Sequence, residues 1–140
     1  MSDDHHHGSD LTSLFELRSE PVTTQQLVRY AGASDDYNRI HYDQAYAIDA
    51  GLGGVIAHGM LTMGFMARAV TDWVGPLGRV KRIAARFTAP VRPGDVVRVI
   101  GRVTSTDDGA DVRTLACRLE AMVGTRIVAT GEAMVHSTPE

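Results

Sequence analysis

A single cysteine, Cys117, is all the thiol this chain carries, so no intrachain disulfide framework holds it together, and a reducing cytosol suits it. Cys117 falls where apolar and polar residues alternate, which marks a buried structural thiol rather than a nucleophile. A basic stripe is also missing: 14 Lys and Arg stand against 17 Asp and Glu, giving a formal charge of -3 and a pI near 6.0. General nucleic-acid binding is not expected of that balance. The N-terminus is acidic and histidine-bearing and has no apolar run of the signal-peptide kind, so the expected location is cytoplasmic. No internal repeat, interdomain linker or Cys/His/acid spacing typical of a metal centre stands out, and neither a metal nor a redox cofactor is expected.

What remains is one domain of ordinary size. At 140 residues the chain is long enough for a core and too short for a separate cofactor domain. Residues 1–10 read as a disordered polar tail, in which the His5, His6, His7 run is a floppy segment rather than a metal site. Residues 11–140 read as a single domain.

Periodicity divides that domain in two. Thr23 or Thr24 can cap a helix with Leu27, Val28, Tyr30 and Ala31 on its apolar side, ending near Gly32. Asp43 can cap a short second helix through Ala45, Tyr46 and Ile48, stopped by Gly51. A third and longest helix is expected from about Ala57 to Val74, apolar nearly all round and therefore enclosed. Arg68 and Asp72 interrupt it and no membrane anchors flank it, so it reads as a core helix and no membrane span is expected. Met60, Met63 and Met66 recur at helical spacing, as core filling does. After Gly75-Pro76 the period becomes two. Ile83, Ala85, Phe87, Ala89 and Val91 share one face, followed by Val97, Val99 and Val103, then Leu115, Cys117, Leu119, Ala121 and Val123, then Ile127, Ala129, Ala133 and Val135. Turn residues such as Arg92-Pro93-Gly94-Asp95 and Asp107-Asp108-Gly109 separate these runs. The expected architecture is α+β: an antiparallel meander, joined by an early strand near Leu14 to Leu17, curling around the long helix. Arg82, Arg86, Arg92, Arg98 and Arg102 read as its solvated face. A sheet of this size has free edges, so pairing with a second copy or a homologous chain is expected.

The polar loop after the first helix concentrates the chemistry. Asp36 and His41 are five residues apart with Asn38 between them, close enough for a turn to bring a carboxylate and an imidazole to one substrate atom. A capped turn for Asp36 and a carbonyl partner for His41 are the plainer uses of the same residues. Gly59 lies at the start of the third helix, where a backbone N–H and the helix dipole can meet a developing oxyanion. His58 reads as structural at the helix entrance, and Tyr37 and Tyr42 as lining or covering the loop.

Three ordered stretches, Tyr30 to Asp43, Ala57-His58-Gly59-Met60 and Arg86 to Asp95, together resemble the MaoC-like hotdog-fold (R)-specific enoyl-thioester hydratases and dehydratases. The Gly59-Met60-Leu61-Thr62-Met63-Gly64 run and the Thr71-Asp72-Trp73-Val74-Gly75 helix end are most similar to the catalytic β subunits of mycobacterial 3-hydroxyacyl-ACP dehydratases. The likeness spans roughly residues 11 to 136. The family's motif, approximately Ser-Gly-Asp-x-Asn-Pro-Ile-His, stands here as Ser34-Asp35-Asp36-Tyr37-Asn38-Arg39-Ile40-His41. The match implies a hotdog fold, catalytic roles for Asp36 and His41, supporting roles for Ser34 and Asn38, and the Gly59 N–H as the donor to the thioester carbonyl. It implies (R)-specific hydration of 2-enoyl thioesters, or dehydration of (R)-3-hydroxyacyl thioesters, carried on CoA or acyl carrier protein, in fatty acid metabolism. The expected assembly is a homodimer or a heterodimer with a related hotdog subunit.

Two residues depart from the motif. Asp35 replaces a glycine, which points to a backbone position that favours glycine. Arg39 replaces a proline, from which a less rigid loop is expected. Some members carry a serine on the central helix that touches the catalytic aspartate; the corresponding place here is Gly64. Two other uses of the fold stay open on the sequence: a non-catalytic or weakly active subunit that supports a partner or binds acyl groups, and an acyl thioesterase in which Asp36 directs water at the thioester carbonyl.

Overall fold

The structure is a computed structural model, which describes residues 13–138; the expected tail and its three histidines lie outside them. Five strands and three helices follow in the order β1 (Leu14–Arg18), α1 (Thr24–Ser34), α2 (Gln44–Asp49), α3 (Gly59–Val74), β2 (Gly78–Phe87), β3 (Arg98–Asp108), β4 (Arg113–Val123) and β5 (Arg126–Ser137). All strand pairs are antiparallel, and their spatial order is β1-β3-β4-β5-β2. A curved antiparallel sheet against one long helix is the α+β arrangement expected. No helix among the described residues is long and apolar enough to cross a membrane.

Local chemistry explains the helix boundaries. The Thr23 side chain accepts the amide of Gln26, and Asp43 accepts that of Tyr46, so each expected cap is made. α1 does not stop at Gly32. It runs to Ser34, and Asp35 takes the left-handed conformation (φ 57) that ends it. α3 starts at Gly59 rather than Ala57, because the backbone of His58 is still extended (φ -61, ψ 137).

The simple meander needs correction. β3, β4 and β5 form one, but β2 pairs with β5 and not with β3. Residues 88–97 therefore do not make a hairpin. They cross from the edge strand β2 to β3, which lies beside the other edge strand β1, and are held by Ala57 N to Val91 O and by Gly94 N to Val22 O. Arg92 and Val91 lie on this crossing, not on the strand expected to end at Val91. Strict alternation also fails where the register shifts, between Ala121 and Met122 and between Val103 and Ser105. At the first of these Val128 turns inward beside Ala129 and Ile127 turns out, as a bulge requires.

The core joins the inner sheet face, Val99, Leu115, Cys117, Leu119, Ala121, Ala133 and Val135, to Leu61, Met66, Ala69, Val70 and Val74 of α3. Gly101 makes room for Phe15, whose ring stacks on Trp73 at 4.3 Å. Cys117 is deep in this layer and burial pushes its thiol up to about 11, which makes it a poor nucleophile. The long helix is not enclosed on every side: Met60, Gly64, Arg68 and Asp72 lie on its open face, because one sheet covers only one stripe of a helix. On the outer sheet face Arg82 pairs with Glu132 and Arg98 with Glu16.

Candidate active site

The loop between α1 and α2 is built by side chains that bond their own backbone two residues on. The Asp36 amide donates to Ser34 Oγ (3.4 Å), the Asn38 amide to Asp36 Oδ1 (3.2 Å) and the Ile40 amide to Asn38 Oδ1 (3.2 Å). Short oxygen-bearing side chains at alternate positions favour such local turns over regular structure. Ser34 also donates to the Tyr30 carbonyl at 2.7 Å, anchoring the series to the last turn of α1. Asn38 then caps a single 3-10 turn, Arg39–His41, that carries His41 inward.

His41 is buried and its orientation is fixed. Its Nδ1 lies 2.7 Å from the Ile56 carbonyl, and a carbonyl only accepts, so Nδ1 is the donor and the lone pair of the neutral ring belongs to Nε2. The Ile56 amide in turn donates to Ile40 O, so the 3-10 turn and the strand-like entry to α3 hold each other. One nitrogen of His41, one carboxylate oxygen of Asp36 and one nitrogen of His58 all lie within 4.8 Å of one another. Asp36 faces solvent while both histidines are buried.

His58, read from sequence as a structural residue at the helix entrance, sits inside this group. It is 2% exposed, its Nε2 donates to the Asp36 main-chain carbonyl at 3.2 Å, and its ring stacks on His41 with centroids 3.7 Å apart. Tyr30 of α1 covers another side, ring centroids 4.8 Å away. Burial is the main cause that pushes the His58 pKa below the ordinary histidine value, and the neighbouring His41 pushes the same way. The signal available in the sequence was adjacency to Gly59 alone, which does not reveal a contact with residues 22 and 17 positions upstream.

The arrangement suits proton transfer better than metal binding. The two imidazoles are inclined by only 21° with centroids 3.7 Å apart, so their lone pairs lie in nearly parallel, stacked planes and do not converge on an ion about 2.0–2.1 Å from each nitrogen. One nitrogen of each ring is also committed to a carbonyl.

Gly59 follows His58 as the first residue of α3, where a helical N–H has no intrahelical acceptor. A side chain there would press on Phe87. The two departures from the motif leave this geometry in place. Asp35 occupies the glycine-favouring position expected of it. At Arg39 the guanidinium holds Asp43 Oδ2 through Nη2 at 2.8 Å and Nε at 3.2 Å and lies 4.5 Å over the Tyr46 ring. At Gly64 an added Cβ would meet nothing within 4 Å. Tyr37 and Tyr42 are exposed on the loop.

Comparison with known proteins agrees with this site-bearing fold. Residues 12–125 match the family model described as MaoC like domain. The chain is 32% identical over 123 residues to a 3-hydroxybutyryl-CoA dehydratase of Methylorubrum extorquens, covering 87% of this chain and 77% of that one. It is 31% identical to an (R)-specific enoyl-CoA hydratase of Rhodospirillum rubrum, covering 84% and 81%. Among solved structures, an R-hydratase from Pseudomonas aeruginosa superposes with a TM-score of 0.79 at 29% identity, covering 94% of this chain and 83% of that one. The HadBC dehydratase complex of Mycobacterium tuberculosis shares the fold, with a TM-score of 0.73 at 14% identity over 89% of this chain and 94% of that one. With its hotdog architecture and a family match over most of its length, the chain belongs to the MaoC-like domain family.

Proposed function

We propose that this chain adds water across 2-enoyl thioesters, or removes it from (R)-3-hydroxyacyl thioesters, with Asp36 and His41 as the acid/base pair. The observation that carries the reading is the bond from His41 Nδ1 to the Ile56 carbonyl, which leaves Nε2 free to accept a proton in a ring that has one nitrogen within 4.8 Å of an Asp36 carboxylate oxygen. One Asp36 oxygen takes the Asn38 amide, and the other is available to hold one hydrogen of a water. His41 Nε2 takes the second hydrogen as the water oxygen bonds to C3 of the enoyl group. The electron pair moves to the thioester oxygen, where the Gly59 N–H at the helix N-terminus meets the charge. The His41 imidazolium then returns its proton to C2, and the C2–C3 double bond is consumed with atoms and charge balanced. Dehydration reverses each step. Relatives named for enoyl-CoA hydration and 3-hydroxybutyryl-CoA dehydration support CoA thioesters as the first substrates to test.

The working unit is a dimer with a second copy or a related hotdog subunit, a reading supported by the unpaired edge of β2 and by Met60, Phe87 and Ile127 left exposed around the start of α3. Light scattering of the purified chain tests it: a monomer that also fails to turn over substrate points to a missing partner subunit. Crotonyl-CoA tests the reaction. Hydration consumes the conjugated enoyl absorbance, leaves the thioester intact and yields the (R)-3-hydroxy product. Release of free thiol detected with a thiol reagent, without loss of the alkene, supports a thioesterase instead.

A further inference from the structure

His58 is a buried group that the proposed reaction does not use, yet it touches both residues that the reaction does use. Its Nε2–H is bonded to the Asp36 carbonyl, its ring lies against His41, and the residue after it is Gly59. Its Nδ1 is buried and has no hydrogen-bond partner among the described residues. A group that merely filled space would do so better as a leucine or phenylalanine, because a bare acceptor cut off from water is unfavourable. The imidazole earns its place only through what its other nitrogen and its faces hold.

We propose that His58 is a positioning residue for the acid/base pair, a neutral imidazole that fixes the course of the Asp36 main chain with one nitrogen and the plane of the His41 ring with one face. A proton on Nδ1 would be a buried donor without an acceptor beside a second histidine. The groups facing His58 are Tyr30 from α1, Asp36 from the loop and His41 from the 3-10 turn. His58 therefore stays neutral through the reaction and keeps its hold on the Asp36 carbonyl. The kinetic part of this inference rests on the hydration reading, whereas the geometric part does not.

Two measurements test it. In crotonyl-CoA hydration, folded His58→Ala is expected to lose about 10²-fold in kcat, the scale of a small misplacement of reacting groups, with KM within about threefold of wild type. His58→Gln, which can restore the bond to the Asp36 carbonyl, and His58→Phe, which can restore the ring contact, are each expected to recover part of kcat. A folded His58→Ala with kcat within about threefold of wild type overturns the proposal. Nitrogen-15 spectra of the histidine side chains in the wild-type protein provide the second measurement and do not depend on activity or on a variant folding. At about pH 7.5, above the ordinary histidine value of 6.5, His58 is expected as the neutral Nε2–H form. The Nδ1–H form at that pH, or a His58 that takes up its proton at or above 6.5, overturns the proposal. If a dimeric wild-type chain does not hydrate crotonyl-CoA, the hydration reading fails, and the spectra still decide the geometric part of the proposal.

Discussion

The ring of Phe87, on the free edge strand β2, lies against the backbone of Gly59, so closely that a Cβ added at Gly59 would sit 3.1 Å from its Cδ2 and Cε2. Gly59 is also the first residue of α3, and His58 before it has φ -61 and ψ 137. That is where a helix accepts proline, preceded by a residue in the conformation proline requires. Gly59→Pro, made together with Phe87→Ala to clear the ring, removes the proposed oxyanion donor while leaving the helix intact. The expected result is unchanged helical circular dichroism and about 10²–10³-fold lower kcat than Phe87→Ala alone, the usual loss for one such donor. Equal rates for the two variants would remove Gly59 N–H from the mechanism.

Asp35 is the only non-glycine residue with positive φ among the described residues, at φ 57. An L side chain in the left-handed region carries a steric cost that glycine escapes, partly offset by the greater freedom of glycine when unfolded. Asp35→Gly is therefore expected to raise the unfolding free energy by about 0.5–1 kcal/mol and to keep activity. Urea titration reads the first and initial rates the second. A lower urea midpoint would show that the Asp35 side chain stabilises the turn in a way its backbone does not reveal.

Asp43 does two jobs with two oxygens. Oδ1 caps α2 through the Tyr46 amide, and Oδ2 holds Arg39. The Arg39 bond is the main cause of the Asp43 carboxyl lying below the usual range, with the Tyr46 amide second. Both groups face water, so the ion pair is screened and the cap is the more robust contribution. Asp43→Ala is expected to lower Tm more than Arg39→Ala, and added salt is expected to narrow the difference between wild type and Arg39→Ala. Equal losses from the two variants would assign the stability to the ion pair and leave the cap without weight.

The buried, neutral His58 ties stability to pH with a definite sign. Its folded pKa lies below the ordinary 6.5, so the unfolded chain takes up a proton that the folded chain refuses. Stability is then full above 6.5 and falls as the pH drops through it. Asp36, His41 and Tyr30 face the same site, so the informative quantity is a difference. The urea stability of wild type minus that of His58→Phe is expected to shrink from about pH 7.5 to about pH 5. A constant difference would show that His58 titrates alike in both states.

Much of this was legible in the residues because the interactions are local. Thr23 and Asp43 announce their caps, and Ser34, Asp36 and Asn38 at alternate positions spell the turns that shape the loop. The inward faces of β3 to β5 follow from period two. What did not show was set by partners distant in the chain. The pairing of β2 with β5 depends on the crossing at residues 88–97, which looks from sequence like a hairpin turn at Pro93-Gly94. The open face of α3 depends on how far one sheet reaches. The role of His58 depends on Asp36 and His41 arriving from the other side.

The central claim is that Asp36 and His41 act on an enoyl thioester, and the decisive measurement is the crotonyl-CoA absorbance assay on wild type, Asp36→Asn and His41→Ala, each shown to be folded. The account predicts loss of the enoyl absorbance with wild type and a rate in each variant reduced by about 10²–10⁴-fold, the range for removing a general acid or base. Hydration that survives both substitutions would contradict it.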